Sequence, residues 1–183
     1  MMTVSLPTGE ALRGEHREDF IRAMESEIDT LKKQGAIELV NKPDGANVIT
    51  ARWVLAYKTD MSGDITKFKA RWAPRGFQQI PGVDFSIQEV FAPVVDWTTL
   101  RLLTAIQQQL ALKSINIDVV SAFSNTDLND DVYVRQPKYF EDGTQSVVKL
   151  KKALNGIKQS GHKFNKELHQ ALMAAGFEQS QVN

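Results

Sequence analysis

Two strand-like runs joined by a short turn constrain the fold of this chain most. Residues 51–58 (ARWVLAYK) and 65–72 (ITKFKARW) are rich in β-branched and aromatic residues. Between them, DMSGD at 60–64 combines Asp, Ser and Gly, which favour tight turns. Strands joined by so short a turn pair antiparallel. We therefore expect a small antiparallel unit here.

Helical and strand-like segments follow no regular βαβ order in the rest of the chain. Apolar side chains recur at helical spacing within residues 15–33, and Gly35 follows as a helix stop. We expect further helices over 96–112 and 160–176, and strands over 36–40, 131–136 and 146–150. Residues 1–13 carry no such pattern, so we expect them to be loose. The order predicts the α+β class.

Composition excludes several classes of function. None of the 183 residues is Cys, which rules out a disulfide framework, a thiolate metal site and a Cys nucleophile. No apolar run approaches the ~20 residues that span a bilayer. The start, MMTVSLPTGEALRGEHRED, lacks the apolar centre of a secretory signal. We expect an intracellular protein without a membrane partner, in the cytoplasm or the nucleus.

Charge is balanced in total but unevenly distributed. Basic and acidic residues number 22 each. Residues 52–79 carry six bases and two acids, and residues 149–166 carry six Lys and no acid. Residues 1–30 carry seven acids and three Arg. A neutral chain with this distribution can present basic surfaces to an anionic partner.

The strand around KFKAR concentrates positive charge on one face. Because side chains alternate along a strand, Lys67, Lys69 and Arg71 share a face opposite Phe68. Arg75 extends this charged run. The pattern is typical of a half-exposed strand with a solvated basic face, but it also suits phosphate binding, since Arg can hold phosphate bidentately. The pattern leaves both interpretations open.

Asp118 lies within an apolar run, INIDVVSAF at 115–123. The run predicts a buried strand, in which an ionised carboxylate is costly unless it is paired or holds a metal. Asp118 could accept hydrogen bonds from backbone or Arg donors, ligate Mg²⁺, or reach water at the end of the strand. The sequence pattern does not choose among these.

A series of short stretches occurs in order between about residues 18 and 180. They are FIRAMESEIDTL, KARWAPRGFQQ, GVDF, FAPVV, TTLRLL, DVVSAF, VYVRQP, LNGIKQSG and GFEQS. In this order the chain resembles the reverse transcriptase domain of Ty1/copia-type retrotransposon polyproteins. The resemblance implies reverse-transcriptase-like fingers at about 14–95 and an incomplete palm at about 96–183, made of antiparallel hairpins with flanking helices.

The resemblance also assigns roles to residues. It implies that Asp118 is the first catalytic, metal-binding aspartate of the palm, with Val119 offering its backbone carbonyl to the same Mg²⁺, or Mn²⁺. Phe123 stands at the position of the aromatic gate against a ribose 2′-hydroxyl, although a core aromatic is the simpler interpretation. The other positions implied to contact nucleotide or template are Lys69, Arg71, Arg75, Val119, Ala122, Gly156, Lys158 and Gln159.

One element of the family is not found in these 183 residues. The sequence contains no Tyr-x-Asp-Asp, and we reject Asp130 and Asp131 in NDDVY as a substitute, since they fall on an expected solvated turn. Pro74 also interrupts the predicted fingers strand. One aspartate and one carbonyl are too few ligands for the two metal ions of phosphoryl transfer. Metal occupancy is therefore doubtful for these residues alone.

The resemblance implies a fragment of an RNA-directed DNA polymerase of a copia-type retrotransposon, inactive alone and marginally stable. The implied partners are an RNA or DNA primer–template, deoxynucleoside triphosphates, and the rest of a Pol polyprotein supplied in trans. The alternatives are a non-catalytic nucleic-acid-binding module, a protein-interaction fragment, and an unstable translation product without a role.

Overall fold

The computed structural model describes residues 2–180 of the chain. Within these residues the strands are Met2–Leu6 (β1), Ile37–Val40 (β2), Val48–Ile49 (β3), Ala51–Thr59 (β4), Ile65–Pro74 (β5), Tyr133–Val134 (β6) and Val147–Leu150 (β7). The α-helices of the same part are Thr8–Ala11 (α1), Arg17–Lys33 (α2), Trp97–Gln109 (α3) and Ser160–Ala174 (α4). In residues 2–180, no helix combines the length and the apolarity that crossing a membrane requires.

The strands form two sheets. The first has the order β1-β4-β5 and is antiparallel throughout. The second has the order β2-β7-β6-β3, in which β3 and β6 run parallel and the other pairs run antiparallel. The chain is therefore a mixed α and β protein with mainly antiparallel sheets, as the order of elements predicts.

The β4–β5 hairpin confirms the predicted pairing and its turn. Trp53 stands opposite Trp72 in the register. In the turn, Asp60 accepts hydrogen bonds through Oδ1 from the backbone N–H groups of Ser62 (2.9 Å) and Asp64 (3.0 Å). β5 runs on to Pro74 as its last residue. Pro74 therefore ends the strand, and the expected interruption is not found.

The core is built around α2, as the helical spacing predicts. Phe20, Met24, Ile28 and Leu31 are all buried. The Phe20 ring meets Phe68 of β5 edge-on, with 5.0 Å between ring centroids. Burying each such side chain contributes about 1.5–3 kcal/mol relative to leaving it exposed. α2 is thereby held along β5, the strand that carries the basic residues.

The first residues are more ordered than the sequence predicts. β1 pairs with β4 from Met2–Thr59 to Leu6–Leu55, and α1 follows directly. The expectation that residues 1–13 are loose is therefore wrong where β1 and α1 lie. The reason is tertiary: so short a segment carries little periodicity of its own, and pairing with β4 makes it a strand.

The expected strand around Asp118 does not form. Residues 112–119 have no regular secondary structure, and Asp118 is exposed. Ile115 and Ile117 are 85% and 84% exposed. A β-branched run becomes a stable strand only beside a hydrogen-bonding neighbour, and none of the described strands pairs with this one. The buried-carboxylate interpretation of Asp118 is thus wrong in this structure.

Candidate functional site

A cavity of about 650 Å³ lies between α2, β5 and the turn that follows Asp118. It brings together two groups of predicted site residues that are far apart in the sequence. Its lining includes Lys67, Lys69 and Arg71 from β5, and Asp118, Val119, Ala122 and Phe123 from the turn. We call it the basic cavity.

The β5 wall supplies the positive charge of the basic cavity. Lys69 is half-buried, whereas Lys67 and Arg71 are exposed. Burial lowers the pKa of the Lys69 ammonium, and repulsion from Lys58, Arg71 and Lys67 lowers that pKa further. The cationic form of Lys69 is therefore held at a cost that a nearby anion would reduce.

The wall after Asp118 is a braced turn. Ser121 adopts φ 54°, in the left-handed region. The Ser124 hydroxyl donates to the Ser121 carbonyl (3.1 Å), and Asn125 donates through Nδ2 to the Val120 carbonyl (3.2 Å). These bonds hold the backbone between Asp118 and Phe123 in a tight reversal, which gives both residues access to the same cavity.

Phe123 connects this turn to α4. Its ring is half-buried and meets Phe164 edge-on, with 6.0 Å between centroids and 83° between ring planes. An edge-to-face aromatic pair contributes about 0.5–1.5 kcal/mol beyond burial. Phe123 therefore lines the cavity and also anchors the turn.

The third wall comes from α2, and its residues are absent from the sequence prediction. Ser26, Glu27, Thr30 and Gln34 line the cavity. Burial raises the pKa of the Glu27 carboxyl, while a hydrogen bond from the Trp72 backbone and the charge of Arg71 oppose that rise. Gln34 Oε1 is buried and has no hydrogen-bond partner among the described residues. The available signal was the spacing of these polar residues at three and four positions along the helix.

Arg75 and Lys158 do not line the basic cavity. The Arg75 guanidinium lies 3.4 Å from the Thr50 hydroxyl, to which it donates. The Lys158 ammonium lies 5.0 Å from the centroid of the Phe85 ring. Both side chains are exposed. Their predicted contacts with a nucleotide remain predictions that this cavity does not support.

Gln159 has a supporting position in the interior. It is 0% exposed. Its Nε2 donates to the Asp84 carbonyl (3.0 Å), and its Oε1 accepts from Nε2 of Gln79 (3.0 Å). Both ends of the amide bind within the protein, so the direct contact between Gln159 and a nucleotide remains a prediction that these bonds do not support.

Gly156 joins two loops rather than facing the cavity. The Gly76 N–H donates to the Gly156 carbonyl (3.0 Å). A Cβ on Gly156 would lie 2.2 Å from the Pro74 carbonyl oxygen, and φ at Gly156 is +113°. Glycine is needed here for a close backbone approach, which is a structural reason for the residue in LNGIKQ.

The carboxylates of the described residues bear on the predicted metal site. Among residues 2–180, no group of three His, Cys, Asp or Glu side chains is placed to hold a metal ion. Asp130 is half-buried: it accepts from Gln159 (3.3 Å) and lies 3.5 Å from the Lys163 ammonium. Asp130 is therefore still rejected as a substitute ligand. The expected solvated position fits Asp131, which is exposed, but it does not fit Asp130.

Comparison with known proteins identifies the family. The family model described as reverse transcriptase (RNA-dependent DNA polymerase) matches residues 34–183. The Pol polyprotein from transposon TNT 1-94 of Nicotiana tabacum is 35% identical over 82% of this chain, and that from transposon RE1 of Arabidopsis thaliana is 33% identical over 87%. This chain spans 11% of the length of each.

The chain belongs to the reverse transcriptase family. Within it, the similarity to retrovirus-related Pol polyproteins of plant transposons confirms the Ty1/copia type that the ordered motifs predict. The chain is a fragment of such a reverse transcriptase domain.

Proposed function

We propose that the basic cavity binds the phosphates of a primer–template or of an incoming deoxynucleoside triphosphate, and that these 183 residues do not polymerise DNA by themselves. One observation carries the proposal: a single cavity contains Lys69 and Arg71 of β5 together with the Asp118–Phe123 turn. In this assignment β5 belongs to the fingers and the turn to the palm.

The electrostatics of β5 support a phosphate ligand. Three cations at alternate positions of one strand repel one another, and burial lowers the pKa of Lys69. A phosphate near Lys69 and Arg71 replaces that repulsion with attraction, and the Arg71 guanidinium can hold two phosphate oxygens. Ala122 and Phe123 then form the apolar wall beside a ribose.

The metal requirement explains why we expect binding without polymerisation. Reverse transcriptases use divalent metal ions, and Mg²⁺ prefers carboxylate and phosphate oxygens. Asp118 and the Val119 carbonyl are the ligands that the resemblance assigns. The nearby Glu27 carboxylate already accepts a bond from the Trp72 backbone. These groups do not fit a pair of Mg²⁺ or Mn²⁺ ions, so we derive no catalytic step through them.

A protein-interaction role is the second candidate, favoured by the exposed apolar surface of α3 and the segment after it. Leu102, Leu103 and Val120 are 59%, 56% and 79% exposed. Other residues of a Pol polyprotein, supplied in trans, are the partner we propose for this surface. Sedimentation that shows a stable monomer at all concentrations and no co-sedimentation with added Pol segments would count against it.

Primer extension tests the proposed function. We expect the chain and its Asp118→Asn variant to retain an RNA–DNA hybrid on filters, and neither to extend the primer with Mg²⁺ or Mn²⁺. Extension by the parent that is lost in Asp118→Asn would contradict the proposal, because it would make Asp118 catalytic within these residues. Failure of both proteins to retain the hybrid would also contradict it.

A further inference from the structure

A second cavity of about 480 Å³ lies on the other side of α2. It is bounded by the helix, by the face of the β2–β7 pair and by the loop from Gln136 to Asp142. Its floor is apolar and includes Ile28, Leu39 and Val148. Leu39 is 51% exposed, so part of that floor is open to solvent. We call this cavity the acidic groove.

Helix geometry separates the acidic groove from the basic cavity. Ser26, Glu27 and Thr30 face the basic cavity, whereas Glu25 and Asp29 face the acidic groove. With 3.6 residues per turn, the centres of these two sets lie about 130° apart around the helix axis. A ligand in the groove therefore contacts a surface of α2 that the proposed phosphate site does not use.

The rim of the groove carries a strong excess of negative charge. Its ionisable side chains are Glu25, Asp29, Lys32, Glu38, Glu141 and Asp142. Of these acids, Glu38 is the one that has a cation within ion-pair distance among the described residues. The Lys151 ammonium lies 3.9 Å from the Glu38 carboxylate. Glu25 and Asp29 are four residues apart on one helix face, a like-charge arrangement that destabilises a helix.

Hydrogen bonds on the loop side of the groove hold two of its acids in place. Asp142 accepts through Oδ1 from Gln136 (2.7 Å) and from the Thr144 hydroxyl (2.7 Å). These bonds lower the pKa of Asp142. Glu141 accepts from the Tyr139 backbone N–H (2.8 Å). The negative charges of Asp142 and Glu141 beside the apolar floor are thus fixed in place, and Lys32 is the one cation of the described lining.

We propose that the acidic groove binds a basic polypeptide segment in which Lys or Arg alternates with apolar residues. Charge complementarity determines the occupant, because a nucleic acid or an acidic peptide would be repelled by the rim. Long cationic side chains lay their aliphatic stems on apolar surface and keep their charged ends in contact with acids or water. The apolar floor and the acidic rim of this groove match these two parts.

The probe is a fluorescein-labelled hexapeptide of alternating Lys and Leu, with alternating Glu and Leu as its control. We expect fluorescence anisotropy to show that the Lys-Leu peptide binds. Its affinity should decrease as salt increases. Glu25→Gln with Asp29→Asn should reduce its affinity at least tenfold. Glu15→Gln with Asp64→Asn removes two exposed acids outside the groove and should change the affinity less than twofold.

Two further variants test the two parts of the proposal. Leu39→Ser should also lower the affinity for the Lys-Leu peptide, because it alters the apolar floor. Lys69→Gln with Arg71→Gln should leave this affinity unchanged. Thermal melting checks that each variant is folded. Equal binding by the Glu25/Asp29 and Glu15/Asp64 variants, or by both peptides, would overturn the proposal. If the chain forms a dimer that Glu25→Gln with Asp29→Asn abolishes, the occupant of the groove is a second copy of this chain. That result would overturn the proposed basic segment.

Discussion

Lys69 is the residue whose chemistry the basic cavity changes most directly. Burial and three neighbouring cations lower the pKa of its ammonium, so more of it is the neutral, nucleophilic amine at mildly alkaline pH. Lys149 provides the opposite case, because its hydrogen bond with Asp131 raises the pKa. The two lysines therefore report contrasting environments within one molecule.

We expect Lys69 to be acylated several times faster than Lys149 at pH 8–9, measured by peptide mass spectrometry after brief treatment with an activated ester. An RNA–DNA hybrid should slow the modification of Lys69 and leave that of Lys149 unchanged, because phosphate stabilises the cationic form. Equal rates at the two lysines without the hybrid would contradict the pKa argument.

Glu27 should make the basic cavity sensitive to pH. Its raised pKa means that the folded chain binds more protons than the unfolded chain between the ordinary value of 4.5 and the higher folded value. This group therefore adds stability as the pH falls through that window, and its contribution decreases as the pH rises. The protonated form also removes a negative charge from beside Arg71.

We expect Glu27→Gln to increase hybrid affinity about two- to fivefold at neutral pH, which corresponds to roughly 0.4–1 kcal/mol, and to flatten the pH dependence of unfolding in this window. Chemical denaturation across pH and binding anisotropy measure the two effects. Glu25→Gln, the same change on the opposite side of α2, is the control. A matching gain in affinity with Glu25→Gln would show that only net charge matters.

Single residues show where prediction from sequence succeeds and where it fails. The family resemblance assigned Lys69 and Arg71 to nucleotide and Asp118 to metal; the three line one cavity, and their roles remain predictions. The buried strand expected around Asp118 does not form in the described residues, because burial depends on neighbours that a local pattern does not specify. Gln159 shows the same limit: the motif identified it, but its amide bonds to residues about 80 positions away.

At the scale of elements, α2 and α3 differ sharply in how they are held. α2 buries an apolar stripe against β5, whereas every residue of α3 is exposed or half-buried. Helices of this length gain most of their stability from packing. α3 and the segment after it should therefore be the first part of the chain to open.

We expect Met24→Ala to lower the free energy of unfolding by about 2–5 kcal/mol, because it leaves a cavity in the core. Leu102→Ala on α3 should lower it by less than about 0.5 kcal/mol, as for exposed substitutions in general. Urea denaturation followed by circular dichroism measures both. Comparable losses would mean that α3 is packed in solution.

The junction between the 74–79 and 154–159 segments gives a second expectation at this scale. Gly156→Ala places a Cβ against the Pro74 carbonyl and imposes a left-handed φ on alanine. We expect a loss of stability greater than about 1–2 kcal/mol. Gly143→Ala also falls at positive φ, but its Cβ meets no atom within 4 Å, so it isolates the cost of φ alone. Equal losses in thermal melts would contradict the close approach.

Elements with a strong local signal are predictable, and those made by pairing are not. The α2 stripe and the DMSGD turn carry enough local information to identify a helix and a hairpin. β1 depends on β4 for its hydrogen bonds. The run at 115–123 has the composition of a strand but no paired neighbour among the described strands. Composition therefore predicts a strand there that does not form, whereas β1 is a strand that composition does not predict.

At the scale of the whole molecule, the balanced net charge conceals two opposed surfaces. α2 separates a cavity lined by Lys67, Lys69 and Arg71 from a groove rimmed mainly by acids. The sequence showed the basic clusters. It did not show that the acids of α2 face a different cavity, because that depends on which side of the helix each partner covers.

The exposed apolar surface from α3 to residue 120 bears on the predicted marginal stability. The exposed fraction is 72% for Trp97, 85% for Ile115 and 84% for Ile117. Exposed apolar surface of this kind promotes association where it is contiguous. Marginal stability therefore remains our prediction, and cooperative melting of a monomer at high temperature would contradict it.

The salt dependence of hybrid binding tests the central claim most directly. Removing one cation that binds a phosphate reduces the slope of log affinity against log salt by about 1. We predict that Lys69→Gln with Arg71→Gln weakens binding and lowers this slope by about 2. Lys42→Gln with Lys138→Gln makes an equal change in charge outside the basic cavity. The slope of this control variant should match that of the parent within error. An unchanged slope in the Lys69/Arg71 variant would contradict phosphate binding in the basic cavity.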